Sequence, residues 1–330
     1  MRVLIINNLG SGQGDSRRYD FVGELARRGA EVTLRPIDET HSIVVALEGA
    51  KDFDTVAVIG GDGTMSAVAY ELRDSGVPLF FYPAGTANAI GLNLGVSADP
   101  VRCAKAILAG RIARVDLGEI VYEREHRPPE KVERRRAPRA VGPVTNGFVA
   151  IAGVGFDAHM IERGAELKPQ FGQSAYLLAA LQNVSPQIAR IELELDGKQV
   201  ETEGSGVLFV NFGRMQFDIT VTHDSDAQDG MLEVVVIKAR NIAELLPAVL
   251  ASYLDRIVEY PSRSQVLDTY RARSVTLRCT PRMPVQSDGE VLPGVTPLTC
   301  RVLPRAATFV VPERASVPGV RLEKARRGKA

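Results

Sequence analysis

The 330-residue chain balances 40 Lys plus Arg against 40 Asp plus Glu, so it carries no global field that would draw it to nucleic acid or to an anionic membrane. Its three cysteines, Cys103, Cys279 and Cys300, are far apart, odd in number and free of C-x-x-C spacing, which argues against a disulfide framework and a zinc site and points to a reduced, cytoplasmic setting. The apolar run in "MRVLIINNLG" is too short for a signal peptide, and no stretch reaches the roughly 18–20 apolar residues of a membrane span.

"RVLIIN" predicts a short buried strand, "SRRYDFVGELARRG" a helix with Ser16 as N-cap and Gly29 at its end, and "EVTLRPI" a second strand. "HSIVVALEGA" reads as helix, "DTVAVIG" as strand, "TMSAVAYELRDSG" as helix with Met65, Val68 and Leu72 on one face, and "VPLFFYP" as strand. "DPVRCAKAILAG" is a well-signalled helix, with Asp99 as cap, Pro100 in the first turn and Gly110 as stop. This alternation predicts an open, mostly parallel α/β sheet with helices on both faces over residues 1–118. Next comes "EREHRPPEKVERRRAPRAVGP", too rich in charge and proline to pack, which reads as an exposed basic insert near 123–143. Well-placed cations there would gain roughly 1 kcal/mol each from anionic headgroups, with a plain solvated loop as the other reading. Beyond it the chain turns to short strands: "NGFVAIAGV", "IARIELELDG", "GSGVLFVNF", "FDITVTH", "MLEVVVIKA", "SVTLRCT", "MPVQSDG", "LTCRVLP" and "ATFVVP". Helical interruptions fall near "QSAYLLAALQNV" and "IAELLPAVLASYL". The expected second domain is a β-rich, sandwich-like unit over residues 119–304, with residues 305–330 open to returning to the first.

Three glycine-bearing turns follow strands of the first half. In "GGDGT", Gly60, Gly61 and Gly63 let backbone amides and a helix N-terminus converge on phosphate oxygens, with Thr64 as cap or phosphate ligand. Asp62 beside such a site makes sense with a divalent cation between them, and equally as a cap in a plain strand-to-helix turn. "PAGTAN" repeats the chemistry with Gly85, Thr86 and Asn88, and loops at the carboxyl ends of neighbouring parallel strands share one crevice. "NNLGSGQGD" has Gly10, Gly12 and Gly14 as G-x-G-x-G, without the Rossmann offset, and no Walker-type loop occurs.

In the β-rich half Asp288 and Glu290 of "SDGE" would share one face if extended, or flank a hairpin turn at Asp288-Gly289. Asp226 and Asp229 of "DSDAQDG" suit a metal clip or an Asx turn. The four histidines form no ligand cluster, and no G-x-S-x-G supports a hydrolytic triad.

Taken in order, "NNLGSG", "GGDGTMSAVAYEL", "PAGTAN", "VDLG", "AGVGFDA", "QDGMLEVVVI", "SDGE" and "VLPRAATFVVP" resemble the diacylglycerol kinase catalytic family of lipid kinases, from about residue 1 to 312. "GGDGT" alone also resembles NAD kinases and phosphofructokinases. The resemblance implies a two-domain kinase using ATP and Mg2+, working from the cytoplasm at a membrane surface on a lipid hydroxyl, with a homodimer left open. Asn8, Ser11, Gly12, Gly60, Gly61, Asp62, Gly63, Thr64, Gly85, Thr86 and Asn88 would line the nucleotide. Asp62, Asp116 of "VDLG" and Glu290 would organise magnesium, and Asp288 or Glu290 would be the general base. Asp226, Asp229 and the carbonyl of Met231 correspond to a structural metal site of bacterial members.

The chain departs from the family pattern at Leu9, at Ala67 and Ala89, where the family has acids, and at Gln228, where it has Asp. Two alternatives follow: an NAD kinase-like enzyme with a soluble substrate, and a nucleotide-binding regulator without turnover.

Overall fold

The structure is a computed structural model that describes residues 1–12, 16–38, 41–124, 142–155, 186–214, 225–240, 244, 266–317 and 319–324. The expected strand "FDITVTH" and the helix expected at "QSAYLLAALQNV" lie outside the described residues, as do residues 125–141 of the basic insert, and of the helix expected at "IAELLPAVLASYL" only Glu244 is described.

The first half is built on β1 (Arg2–Asn8), β2 (Glu31–Ile37), β3 (Thr55–Gly60) and β4 (Pro78–Pro83), all parallel, in the order β2-β1-β3-β4. The interior strands are unbroken apolar runs because both their faces are covered, whereas edge strand β2 is largely open to solvent. On one face α1 (Arg17–Arg27) packs beside α5 (Pro100–Ala109), and Phe21 stacks on Tyr82 with ring centroids 4.8 Å apart. On the other, α4 (Ala89–Asn93) lies over Phe81, close to α3 (Asp62–Glu71).

The helix signals hold unevenly. Asp99 caps α5 by accepting from the Arg102 amide at 2.7 Å, whereas Ser16 occupies the cap position of α1 without a side-chain hydrogen bond. The helix expected over residues 41–50 shrinks to α2 (Ile43–Ala46) followed by a 3-10 turn at Ala50–Asp52. Ile43, Val44 and Val45 crowd the helical turn, and Gly49 at φ 69° breaks the run.

The second half comprises β5 (Arg111–Arg124), β6 (Pro143–Phe148), β7 (Ile151–Gly155), β8 (Ala189–Leu195), β9 (Lys198–Gly204), β10 (Gly206–Val210), β11 (Leu232–Ile237), β12 (Leu267–Ala272), β13 (Ser274–Thr280), β14 (Pro284–Ser287), β15 (Glu290–Val311) and β16 (Leu322–Lys324). Alternation along its central strands feeds two cores. Val207 and Phe209 of β10 join Val234, Val236, Ala152 and Val154, while Leu208 and Val210 face the other way with Val235, Ile237 and Ile151.

"LTCRVLP" and "ATFVVP", expected as separate strands, are parts of β15, which changes register between Leu303 and Ala307 around Arg305 at φ 50°. Strand β5 runs antiparallel along it, from Gly294↔Arg124 to Val311↔Arg111. The far end of β15 lies parallel to β4 through Thr308↔Pro78 and Phe309↔Leu79, so one hydrogen-bonded path crosses both halves.

Phe209 is fully buried where β7, β10 and β11 supply the second core. Phe209→Ala should cost about 3–5 kcal/mol through lost burial and a residual cavity, read as a lower urea midpoint with unchanged slope.

Candidate active site

The three glycine-bearing turns sit at the carboxyl ends of β1, β3 and β4, adjacent in the sheet, and they touch. A β-carbon on Gly85 would lie 2.6 Å from the Gly61 Cα, so only glycine allows this backbone approach. Gly60 closes β3 and its carbonyl accepts from the Ala84 amide at 2.8 Å. The Asn8 amide group donates to Thr64 Oγ1 at 2.7 Å and its carbonyl accepts from the Gly10 amide at 2.9 Å, tying the first loop to α3. Ser11 donates its amide to the Asn8 carbonyl, and Arg18 donates to the Gly12 carbonyl. Asn88 closes its own turn by exchanging 2.9 Å bonds with Gly85, with Thr86 half-buried between them.

Thr64 does not cap α3. The N-cap is Gly61, which offers no side-chain acceptor, and the first internal bond runs from the Met65 amide to the Gly61 carbonyl. The amides of Asp62, Gly63 and Thr64 therefore have no acceptor within their helix, at the end where the helix dipole is positive.

Asp62 turns away from this end. Its carboxylate accepts from the amides of Ala89, at 3.0 Å, and Ile90, at 2.9 Å, and so caps α4. Burial, and to a lesser degree Asp288, push its pKa up from 3.8 to about 7 against the pull of those amides.

Asp288 and Glu290 reach α3 by a turn, not by the alternation of an extended segment. Asp288 at φ 43° and Gly289 at φ 83° form the tight turn between β14 and β15. The Asp288 carboxylate accepts from Ser66 Oγ and from the amides of Val149, Ala150 and Ile151, at 2.7, 3.0 and 2.9 Å. It locks the hairpin to α3 and to the β6–β7 connection. Glu290 accepts no hydrogen bond among the described residues, and its carboxyl rests on Gly63, where an added β-carbon would fall 2.1 Å from Oε1. Glu290 remains exposed as a residue, yet desolvation where its carboxyl packs on α3, and then the neighbouring Asp288, raise its pKa above the usual carboxylate range.

Gly63 and Ser66, then Tyr70, lie on one face of α3. Tyr70 hydroxyl donates to Glu119 on β5, which also pairs with Arg301 on β15 at 2.5 Å. Burial raises the Glu119 carboxyl, but Tyr70 and Arg301 more than offset it and the net shift is downward. Sequence reasoning missed Ser66, Tyr70 and Glu119. The signal was a small or polar strip, Gly63-Ser66-Tyr70, opposite the apolar Met65, Val68 and Leu72.

Asp116 stands apart from the expected magnesium group. It is fully buried on β5, and its carboxylate accepts from the amides of Gly230, at 2.7 Å, and Arg305, at 2.6 Å. Burial raises its pKa against those two bonds. It thus braces the turn that holds Asp226, Asp229 and Met231, and with it the irregular point of β15.

In the turn expected as a metal clip, both aspartates hold neighbouring donors. Asp226 accepts from the Gln228 amide at 2.9 Å as an Asx turn. Asp229 accepts from the Met231 amide at 2.8 Å and pairs its other oxygen with Arg271. No group of acidic, His or Cys side chains among the described residues is arranged to hold a metal ion.

Two family models match the chain: the diacylglycerol kinase catalytic domain over residues 2–120, and the YegS C-terminal NAD kinase beta sandwich-like domain over residues 150–311. A protein named diacylglycerol kinase from Mycobacterium tuberculosis (strain ATCC 25618 / H37Rv) is 24% identical over 298 residues, covering 88% of this chain and 88% of that one. A protein named "Probable lipid kinase YegS-like" from Xanthomonas oryzae pv. oryzae (strain MAFF 311018) is 29% identical over 248 residues, covering 72% of this chain and 73% of its own. In fold, the chain is similar to the crystal structure of a diacylglycerol kinase from Bacillus anthracis str. Sterne, with TM-score 0.69 and 22% identity over 94% of this chain and 96% of that one.

Asp62 binds its proton more tightly folded than unfolded, so its contribution to stability is full below 3.8 and is lost as pH rises through about 7. Asp62→Asn removes this titration. The stability of wild type relative to the variant, from urea unfolding, should therefore decline as pH rises from about 4 to about 7 and level off above, and parallel pH curves would contradict the assignment.

Proposed function

Because the chain belongs to the diacylglycerol kinase catalytic-domain family, we propose that it is a lipid kinase. In this reading it transfers the γ-phosphate of ATP to a hydroxyl of a diacylglycerol-like, phosphatidylglycerol-like or sphingoid lipid. The observation that carries the reading is the placement of Glu290 against Gly63, at the uncapped end of α3. An anion cradle and a proton acceptor without other bonds thereby share one spot.

The amides of the first turn of α3, with the glycine backbones beside them, suit the nucleotide phosphates. Glu290 takes the proton of the lipid hydroxyl as its oxygen bonds to the γ-phosphorus; the bond from that phosphorus to the bridging oxygen breaks, and ADP leaves. A positioned base of this kind is worth about 10² to 10⁴ in rate. Asp288, with four donors on its carboxylate, is the poorer base and serves to place Glu290 and raise its proton affinity.

Magnesium bound with the nucleotide would supply charge neutralisation at the phosphates. Of the three acids expected to organise it, Asp62 is engaged by backbone amides and Asp116 belongs to another turn, leaving Glu290 facing the cradle. Such a donor set suits an ion that keeps its waters and is carried by the substrate. No helix among the described residues is long and apolar enough to cross a membrane, and in this proposal the lipid is met at the bilayer surface.

Glu290→Gln should lower kcat by about 10² to 10⁴ on lipid micelles while ATP binding persists. In wild type the acid limb of kcat/KM should lie above the ordinary glutamate value of 4.5, because Glu290 must be ionised to act. Gly63→Ala should cost about 10² by displacing the carboxyl. ATP binding with no transfer to any of the three lipid classes would favour the regulator instead, and phosphorylation of NAD would favour the soluble-substrate kinase.

A further inference from the structure

We infer that the turn over residues 225–231 is a metal-free staple, with Arg271 supplying the positive charge at Asp229 and Gln228 holding the carboxyl-terminal strand.

Both carboxylate oxygens of Asp229 are already engaged, and one of Asp226's two oxygens holds the Gln228 amide. One oxygen of Asp229 accepts the Met231 amide and the other meets the Arg271 guanidinium, which extends from β12. Nearby, Asp116 has both oxygens on backbone amides. A guanidinium is permanently charged and planar, and it satisfies a carboxylate without the dehydration that Mg2+ resists.

Gln228 does what a carboxylate there could not. Its amide group donates to the Arg114 carbonyl on β5 at 2.6 Å and to the Arg321 carbonyl at 3.2 Å, while its carbonyl accepts the Arg321 amide at 2.8 Å. A carboxylate has acceptors only and would leave both carbonyls facing negative charge. The Gln228 contacts place residue 321 for β16, which pairs with Arg111–Ala113 of β5. Gly319 packs on Ser225 and Asp226, and Glu323 approaches Arg114 at 3.9 Å. The same turn thus joins three parts of the chain far apart in sequence: β5, the loop before β11, and the segment ending in β16. Its integrity is independent of divalent cations, which separates it from any magnesium that travels with a nucleotide.

Thermal unfolding of the full chain without nucleotide, in EDTA and in excess MgCl2, reads the first half of the inference. Wild type should melt at one temperature in both, whereas Arg271→Ala should melt higher with Mg2+, because the freed Asp229 carboxylate beside Asp226 then gains from a cation. A wild-type melting temperature that rises with Mg2+ overturns the inference, and so does indifference to Mg2+ in both proteins. Tryptic cleavage after Arg321, followed by intact mass, reads the second half. Gln228→Ala should be cut there severalfold faster than wild type, and equal rates overturn the staple.

Discussion

The antiparallel ribbon of β5 and β15 is the constraint on which the other parts depend. It is hydrogen-bonded along nearly its whole length, and its side chains enter both hydrophobic clusters. One end begins at Glu290, immediately after the turn that meets α3, and the other lies against β4. A slip of one residue would turn every side chain of β15 to the opposite face and carry Glu290 off Gly63. The register shift at Arg305 and the bonds from Asp116 to Arg305 and Gly230 hold the ribbon against such a slip.

Helix α3 is where this ribbon and the parallel sheet meet. Its apolar side completes the core of the first half, while Gly63, Ser66 and Tyr70 receive Glu290, Asp288 and Glu119. Placing so many carboxylates in one region is costly, and the cost is offset mainly by main-chain amides and not by cations. Asp62 has two amides and Asp288 three, besides Ser66. Amides held by secondary structure cannot move away, so these acids act as fixed pins. Glu290 is left without such partners, and that asymmetry sets the proposed proton acceptor apart from its neighbours.

Much of the architecture was legible in the sequence because it is local. Apolar runs mark β1, β3 and β4, and Asp99, Pro100 and Gly110 bracket α5. The three glycine turns could be placed in one crevice because parallel strands put their carboxyl ends together. What could not be read depends on partners distant in sequence. Whether Asp288 or Glu290 is free is decided by Ser66 and by the amides of residues 149–151, and the place of Asp116 is decided by Gly230 and Arg305. Arg271 gave no local sign that it pairs with Asp229. At α2 the helical periodicity gives way to three adjoining β-branched residues.

The pairing of β4 with β15 also has a temporal side. Pro78 and Thr308 are partners separated by about 230 residues, so at about 5–20 residues per second the ribosome needs roughly 10–50 s between them. During that interval β4 has an open flank of unpaired amides and carbonyls on an apolar strand, the kind of edge on which chains join each other. The emerging protein is thus exposed to aggregation until its last long strand arrives, and conditions that slow its synthesis lengthen that exposure.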